Sequence, residues 1–114
     1  MFENVIADML SVSGVKGVYI IDNEGALIES ESVLGGEDEV YAAMIADAFN
    51  KAAEVLQNLS SDNVELVMID GEKNRIIASR AGELIFGIIA DHKTNYGLLK
   101  IEIKKAVEKI SAMV

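Results

Sequence analysis

The chain has 114 residues, half of them hydrophobic, and a mean hydropathy of +0.28: long enough for one domain with its own core, too apolar for a disordered polymer. Ten basic side chains stand against nineteen acidic ones, a net charge of −9, which argues against nucleic acid and anionic membranes as partners, since both demand a basic face. The absence of cysteine excludes disulfides, no apolar run reaches the ~18 residues of a membrane span, and the start MFENVIADM lacks the regions of a signal peptide, so a cytoplasmic protein is expected.

Phe2, Val5, Ile6, Met9 and Leu10 fall at helical spacing, with Gly14 as a stop, and predict a short amphipathic helix. The stretch VKGVYIIDNEGALIES, residues 15–30, then reads as two strands and a tight turn. Val18, Tyr19, Ile20 and Ile21 suit a strand buried on both faces. Asp22-Asn23-Glu24-Gly25 supplies the turn, because Asn tolerates left-handed backbone and Gly adopts it freely. The return strand starts at Ala26, Leu27 and Ile28 and becomes polar at Glu29, Ser30, Glu31 and Ser32.

Leu34-Gly35-Gly36 leads into the main helix, predicted over residues 38–59, with Glu37, Asp38 and Glu39 favoured at its positive end. Tyr41, Met44, Ile45, Ala48, Ala52, Val55, Leu56 and Leu59 share one broad apolar face; Asp47, Lys51, Glu54 and Asn58 share the polar back. Between them Ala42, Ala46, Phe49 and Ala53 form a flank of small residues and one ring. Such a flank lets another backbone approach closely, and we expect it to meet a second copy, although alanine is also simply the best helix former.

Residues 64–69 (VELVMI), 75–80 (RIIASR) and 83–90 (ELIFGIIA) read as three strands with short connections, an antiparallel meander. Asn95 is a fair N-cap for a last helix beginning at Tyr96, with Leu99, Ile103, Ala106, Val107, Ile110 and Met113 on one face. The order α-β-β-α-β-β-β-α, with two strands apolar on both faces, predicts a single domain over residues 1–114. Its fold class is α/β (α+β): three α/β/α layers around one five-stranded antiparallel sheet. With the first and last strands in the middle, one edge strand is defended by Glu29 and Glu31. The other, carrying Val64, Leu66, Val67, Met68 and Ile69, has only Glu65 as a charge and no Pro. So apolar an edge invites pairing, and we expect it to pair antiparallel with its own copy across a two-fold axis.

Catalytic chemistry is not visible. His92 has Asp91 beside it but no further ligands at metal spacing. Residues 22–25 lack the calcium-loop spacing. Gly35-Gly36 lacks the phosphate-loop pattern, and the acids that follow oppose an anion. Neither Arg75 nor Arg80, both within a predicted strand, makes a convincing arginine finger. No cofactor and no metal are expected.

Three segments together resemble the Roadblock/dynein light chain family: GVYIIDNEGALIES, IIASRAGELIFGIIAD, and NYGLLKIEIKKAVEKI with Asn95, Gly97, Leu98, Leu99 and Lys100 opening the last helix. The resemblance spans nearly the whole chain and is strongest to compact prokaryotic members. It implies a profilin-like sheet with the middle helix on one face and the terminal helices on the other, dimers with itself or a second Roadblock-like chain, and non-catalytic work. Its members serve as platforms for Ras-like small GTPases or as structural subunits of larger signalling or motor assemblies. The first expectation is an adaptor that modulates a GTPase's nucleotide cycle. The second is a scaffold subunit with no GTPase, and the third is an enzyme or small-molecule sensor of the same shape, which a large apolar pocket inside the layers would favour.

Overall fold

Apolar runs and turn residues partition the chain into eight elements: α1 (Glu3–Leu10), β1 (Val15–Ile21), β2 (Leu27–Ser32), α2 (Asp38–Ser60), β3 (Leu66–Asp70), β4 (Asn74–Ala81), β5 (Leu84–Asp91) and α3 (Tyr96–Met113). The computed structural model describes all 114 residues, Met1–Val114. The strands make one antiparallel sheet in the order β2-β1-β5-β4-β3. β1 and β5 are central because neither has a polar face, and β2 and β3 are the edges, as expected.

Alternation along the strands sends side chains into two cores. Val18, Ile20, Phe86 and Ile88 pack beneath α1 and α3 with Phe2, Met9, Leu99, Ile103 and Ile110. Tyr19, Ile21, Ile85 and Ile89 face α2 and its Ala42, Ile45, Ala46 and Phe49. The result is three layers, α2 on one side and the terminal helices on the other. Gly87, opposite Tyr19 in the ladder, lets α2 settle onto the sheet. A Cβ there would lie 3.1 Å from Ile45 Cγ2, tight enough to push the helix away.

Local polar groups fix the ends. In the β1–β2 turn Asp22 Oδ1 accepts from the amides of Glu24 and Ala26, and Gly25 takes φ +95°. The Asn95 side chain accepts from the Leu98 amide, satisfying one of the free donors at the start of α3. At the start of α2, Ser30 Oγ and Ser32 Oγ donate to the two oxygens of Asp38 at 2.9 and 2.8 Å. These bonds tie the helix to the edge strand β2.

The strand boundaries differ from expectation in one place that matters. β3 begins at Leu66, not at Val64. Val64 is 6% exposed and turns into the core under α2. The Glu65 carbonyl accepts from the Arg80 amide and the Ser79 hydroxyl, which holds the entry to the strand against β4.

Candidate interaction surface

α2 packs chiefly on β1 and β2, so β3 and β4 are left partly uncovered on its face. A groove of about 370 Å³ opens there, with eleven of its twelve lining residues hydrophobic. Val67, Ile69, Ile76 and Ala78 form its floor, and Tyr41, Met44, Ala48 and Phe49 its wall. Met44 is 53% exposed and Ile69 46%. Such side chains are normally covered. The groove lies along the free edge of the sheet, open to the outside rather than enclosed between layers. Its volume fits the low end of small-molecule sites, but it has almost no polar groups to orient a ligand.

The edge itself is continuous with this groove. β3 bonds to β4 on one side only and has no strand on the other. Val67 and Ile69 point to the groove, and Leu66 and Met68 to the opposite face. The only charge on β3 is Asp70 at its end, paired with Arg75 at 3.1 Å. That hydrogen-bonded guanidinium, with a lesser contribution from His92, holds the Asp70 carboxyl below its ordinary value.

The flank Ala42, Ala46, Phe49 and Ala53 requires correction. Ala42, Ala46 and Phe49 are 0–1% exposed and form part of the chain's own core, with Ala53 packed at its margin. Small side chains do permit close approach, but the backbone that approaches is this chain's own sheet. The apolar surface that α2 leaves exposed lies elsewhere round the helix, at Met44 beside the groove and at Val40, Val55 and Leu59. Val64 is likewise internal, whereas Val67, Met68 and Ile69 stand at the open edge. The exposure of Met44 was within reach of the helical pattern; which sector the sheet would take was not.

The two arginines and the single histidine have partners within the chain. Arg80 lies over the Phe49 ring at 4.8 Å, and Arg75 faces Tyr96 at 5.7 Å. His92 Nδ1 is 3.6 Å from Asp70 Oδ1, and no group of three His, Cys, Asp or Glu residues converges. The Tyr19 hydroxyl is enclosed without a partner of good geometry. Burial, then the Asp38 charge, pushes its pKa up to about 12, with a weaker opposing pull from Ser32. No helix is long and apolar enough to cross a membrane.

The family model for the Roadblock/LC7 domain matches residues 1–90. Over 113 residues the chain is 32% identical to the uncharacterized protein MJ1340 of Methanocaldococcus jannaschii, covering 99% of each. Among solved structures, Myxococcus xanthus MglB superposes with a TM-score of 0.87 at 20% identity, covering 98% of this chain and 95% of that one. Acanthamoeba castellanii profilin IA superposes at 0.67 with 14% identity, covering 99% and 98%.

Proposed function

Because the chain belongs to the Roadblock/LC7 family, we propose that it is a non-catalytic dimeric adaptor that binds a Ras-like small GTPase in the cytoplasm and modulates its nucleotide cycle. The observation that carries this reading is the apolar groove between α2 and the unpaired β3 edge. A second copy related by a two-fold axis satisfies both features together. The β3 strands pair antiparallel, and each α2 lays Met44 and Ala48 toward the other's groove. Self-pairing needs only one gene product; a second Roadblock-like chain with the same edge would serve equally.

The paired α2 helices then present a continuous surface on one face of the joined sheet. We read this as the platform that holds the GTPase switch region in one conformation. Arg75 is tied to Asp70 and Arg80 lies against Phe49, so neither stands ready to enter a partner's active site. Any change in hydrolysis would come from rearranging the GTPase's own groups.

The test has two stages. Sedimentation of the purified protein reads the dimer. The dimer is then added to purified Ras-like GTPases from the same cell, loaded with GDP or GTP, and binding and hydrolysis are measured. Nucleotide-dependent binding with an altered hydrolysis or exchange rate is expected. A proven dimer that binds none of them overturns the GTPase reading in favour of a scaffold subunit.

A further inference from the structure

The sheet has a second open edge, β2, which bonds to β1 alone. The register sets Ile20 against Glu29, Val18 against Glu31 and Gly17 against Ser32. Just beyond, the Val33 amide donates to the Lys16 carbonyl at 2.8 Å. In an antiparallel ladder, hydrogen-bonded pairs alternate with pairs that are not bonded. The backbone groups of Glu29, Glu31 and Val33 therefore turn toward β1, and those of Ser30 and Ser32 turn outward. No other segment of the chain bonds to them.

The side chains sort by the same alternation. Ser30 and Ser32 are engaged by Asp38 on the α2 side. Glu29 and Glu31 stand on the other face, beside α1. The Glu29 carboxylate accepts from the Phe2 amide and lies 3.7 Å from the Met1 ammonium. Glu31 is exposed. Ile28 and Val33, at the ends of the strand, are exposed as well. Between Lys16 and Lys51 the sequence has eight acidic side chains and no basic one, against a net −9 for the whole chain. That stretch spans the β1–β2 turn, β2 and the first half of α2. The Met1 ammonium is the only cation within 4.0 Å of any of those acids.

An open edge offers main-chain bonds to any strand, and the charges beside it decide which strand can come. A second copy pairing at β2 would set glutamate against glutamate, so this edge is closed to its own kind. A basic strand meets the opposite condition. We propose that β2 receives an extended segment of a basic partner protein, added to the sheet as a further edge strand. Its backbone bonds to the outward groups of Ser30 and Ser32. Lysines or arginines at alternate positions lie beside Glu29 and Glu31, and apolar residues at its ends cover Ile28 and Val33. β2 and β3 are at opposite ends of the sheet. The site therefore stands independently of the dimer proposed above and takes one segment per chain.

The probe is a short peptide in which lysine alternates with threonine, with valine at each end. One counterpart has glutamate for lysine. Another keeps the lysines but is N-methylated along its backbone, so it retains the charge and cannot donate. Amide NMR of the full chain reads the edge directly. In the free protein the Ser30 and Ser32 amides should exchange with solvent quickly, and those of Glu29 and Glu31 slowly. The lysine peptide should shift the Ser30 and Ser32 resonances and, at saturation with one peptide per chain, slow their exchange by about tenfold or more. Both counterparts should bind much more weakly. Glu31→Gln should weaken binding by up to about fivefold, and Glu31→Lys by more. Ser32→Pro removes an outward donor and leaves the ladder to β1 intact, so it should fold and lose the peptide. Ser32→Ala gives up the bond to Asp38 but keeps that donor, and should bind as the wild type does. No binding at millimolar peptide, equal binding of the lysine and glutamate peptides, or undiminished binding of the N-methylated one would each overturn the inference. So would Ser30 and Ser32 amides that the peptide leaves unperturbed, or a folded Ser32→Pro protein that binds as the wild type does. The readout is the same for a monomer and a dimer, so failure here leaves the dimer standing and a monomer in sedimentation leaves this site standing.

Discussion

Ile69→Glu places a carboxylate on the floor of the apolar groove, at the free edge of the sheet. In a single chain the cost is small. Ile69 is already 46% exposed, so about half of the 1.5–3 kcal/mol of full burial is lost, roughly 1 kcal/mol, and the charge reaches water. In the two-fold dimer both copies carry the change, and both carboxylates are shut beneath an opposing α2. A buried unpaired ion costs several kcal/mol even after relaxation. Two of them weaken association by roughly 6 kcal/mol, about four orders of magnitude in the dissociation constant. Sedimentation velocity over a concentration series should therefore show a dimer for the wild type and a folded monomer for Ile69→Glu. Val33→Glu, at a side chain 73% exposed and outside the groove, should remain dimeric. An Ile69→Glu protein with wild-type mass would refute the reasoning, as would a wild type that is monomeric throughout.

Ala46→Glu should behave differently, because Ala46 is 1% exposed within one chain's core. The variant should lose several kcal/mol of monomer stability in urea unfolding, and a folded monomer of near wild-type stability would contradict the placement of α2. Tyr19 gives a pH signature. Its phenol titrates at about 12 in the fold and near ~10 when unfolded. The folded state therefore keeps a proton that the unfolded state releases. The contribution is full below pH ~10 and is lost as pH rises to about 12, up to roughly 2–3 kcal/mol. Urea midpoints at pH 9 and 11 should converge for Tyr19→Phe relative to the wild type; an unchanged slope would show that Tyr19 ionises freely.

The parts of the fold that were legible in the sequence share a local cause. α3 spans Tyr96–Met113 as expected, since its apolar period and the Asn95 cap mark the helix without reference to anything else. β1 and β5 could be placed in the middle because a strand with no polar face needs cover on both sides. The open β3 edge followed from the same logic, applied to a strand with no charge except at its ends. The orientation of α2 did not follow. A helical wheel divides the surface into sectors but does not say which one the sheet takes. Gly87 bears on that choice, since its missing Cβ makes room for Ile45, but its meaning depends on the register with Tyr19, 68 positions earlier in the chain. Val64 misled for a related reason: a β-branched residue beside a strand looks the same whether it continues the ladder or turns inward.

The central pairing of the sheet also orders events during synthesis. Val18 finds Ile88 across the β1–β5 ladder, and β2 is the only strand that β1 can bond to before then. At about 5–20 residues per second, translation leaves that second edge of β1 without its mate for several seconds. β3, β4 and β5, by contrast, emerge in succession and can assemble as a local meander at once. A strand with six of its seven residues buried in the finished fold is thus the one that waits longest. Throughout that interval the nascent chain's protection against sticking to its neighbours on the ribosome rests on a half-built hairpin, whose outer strand carries Glu29 and Glu31.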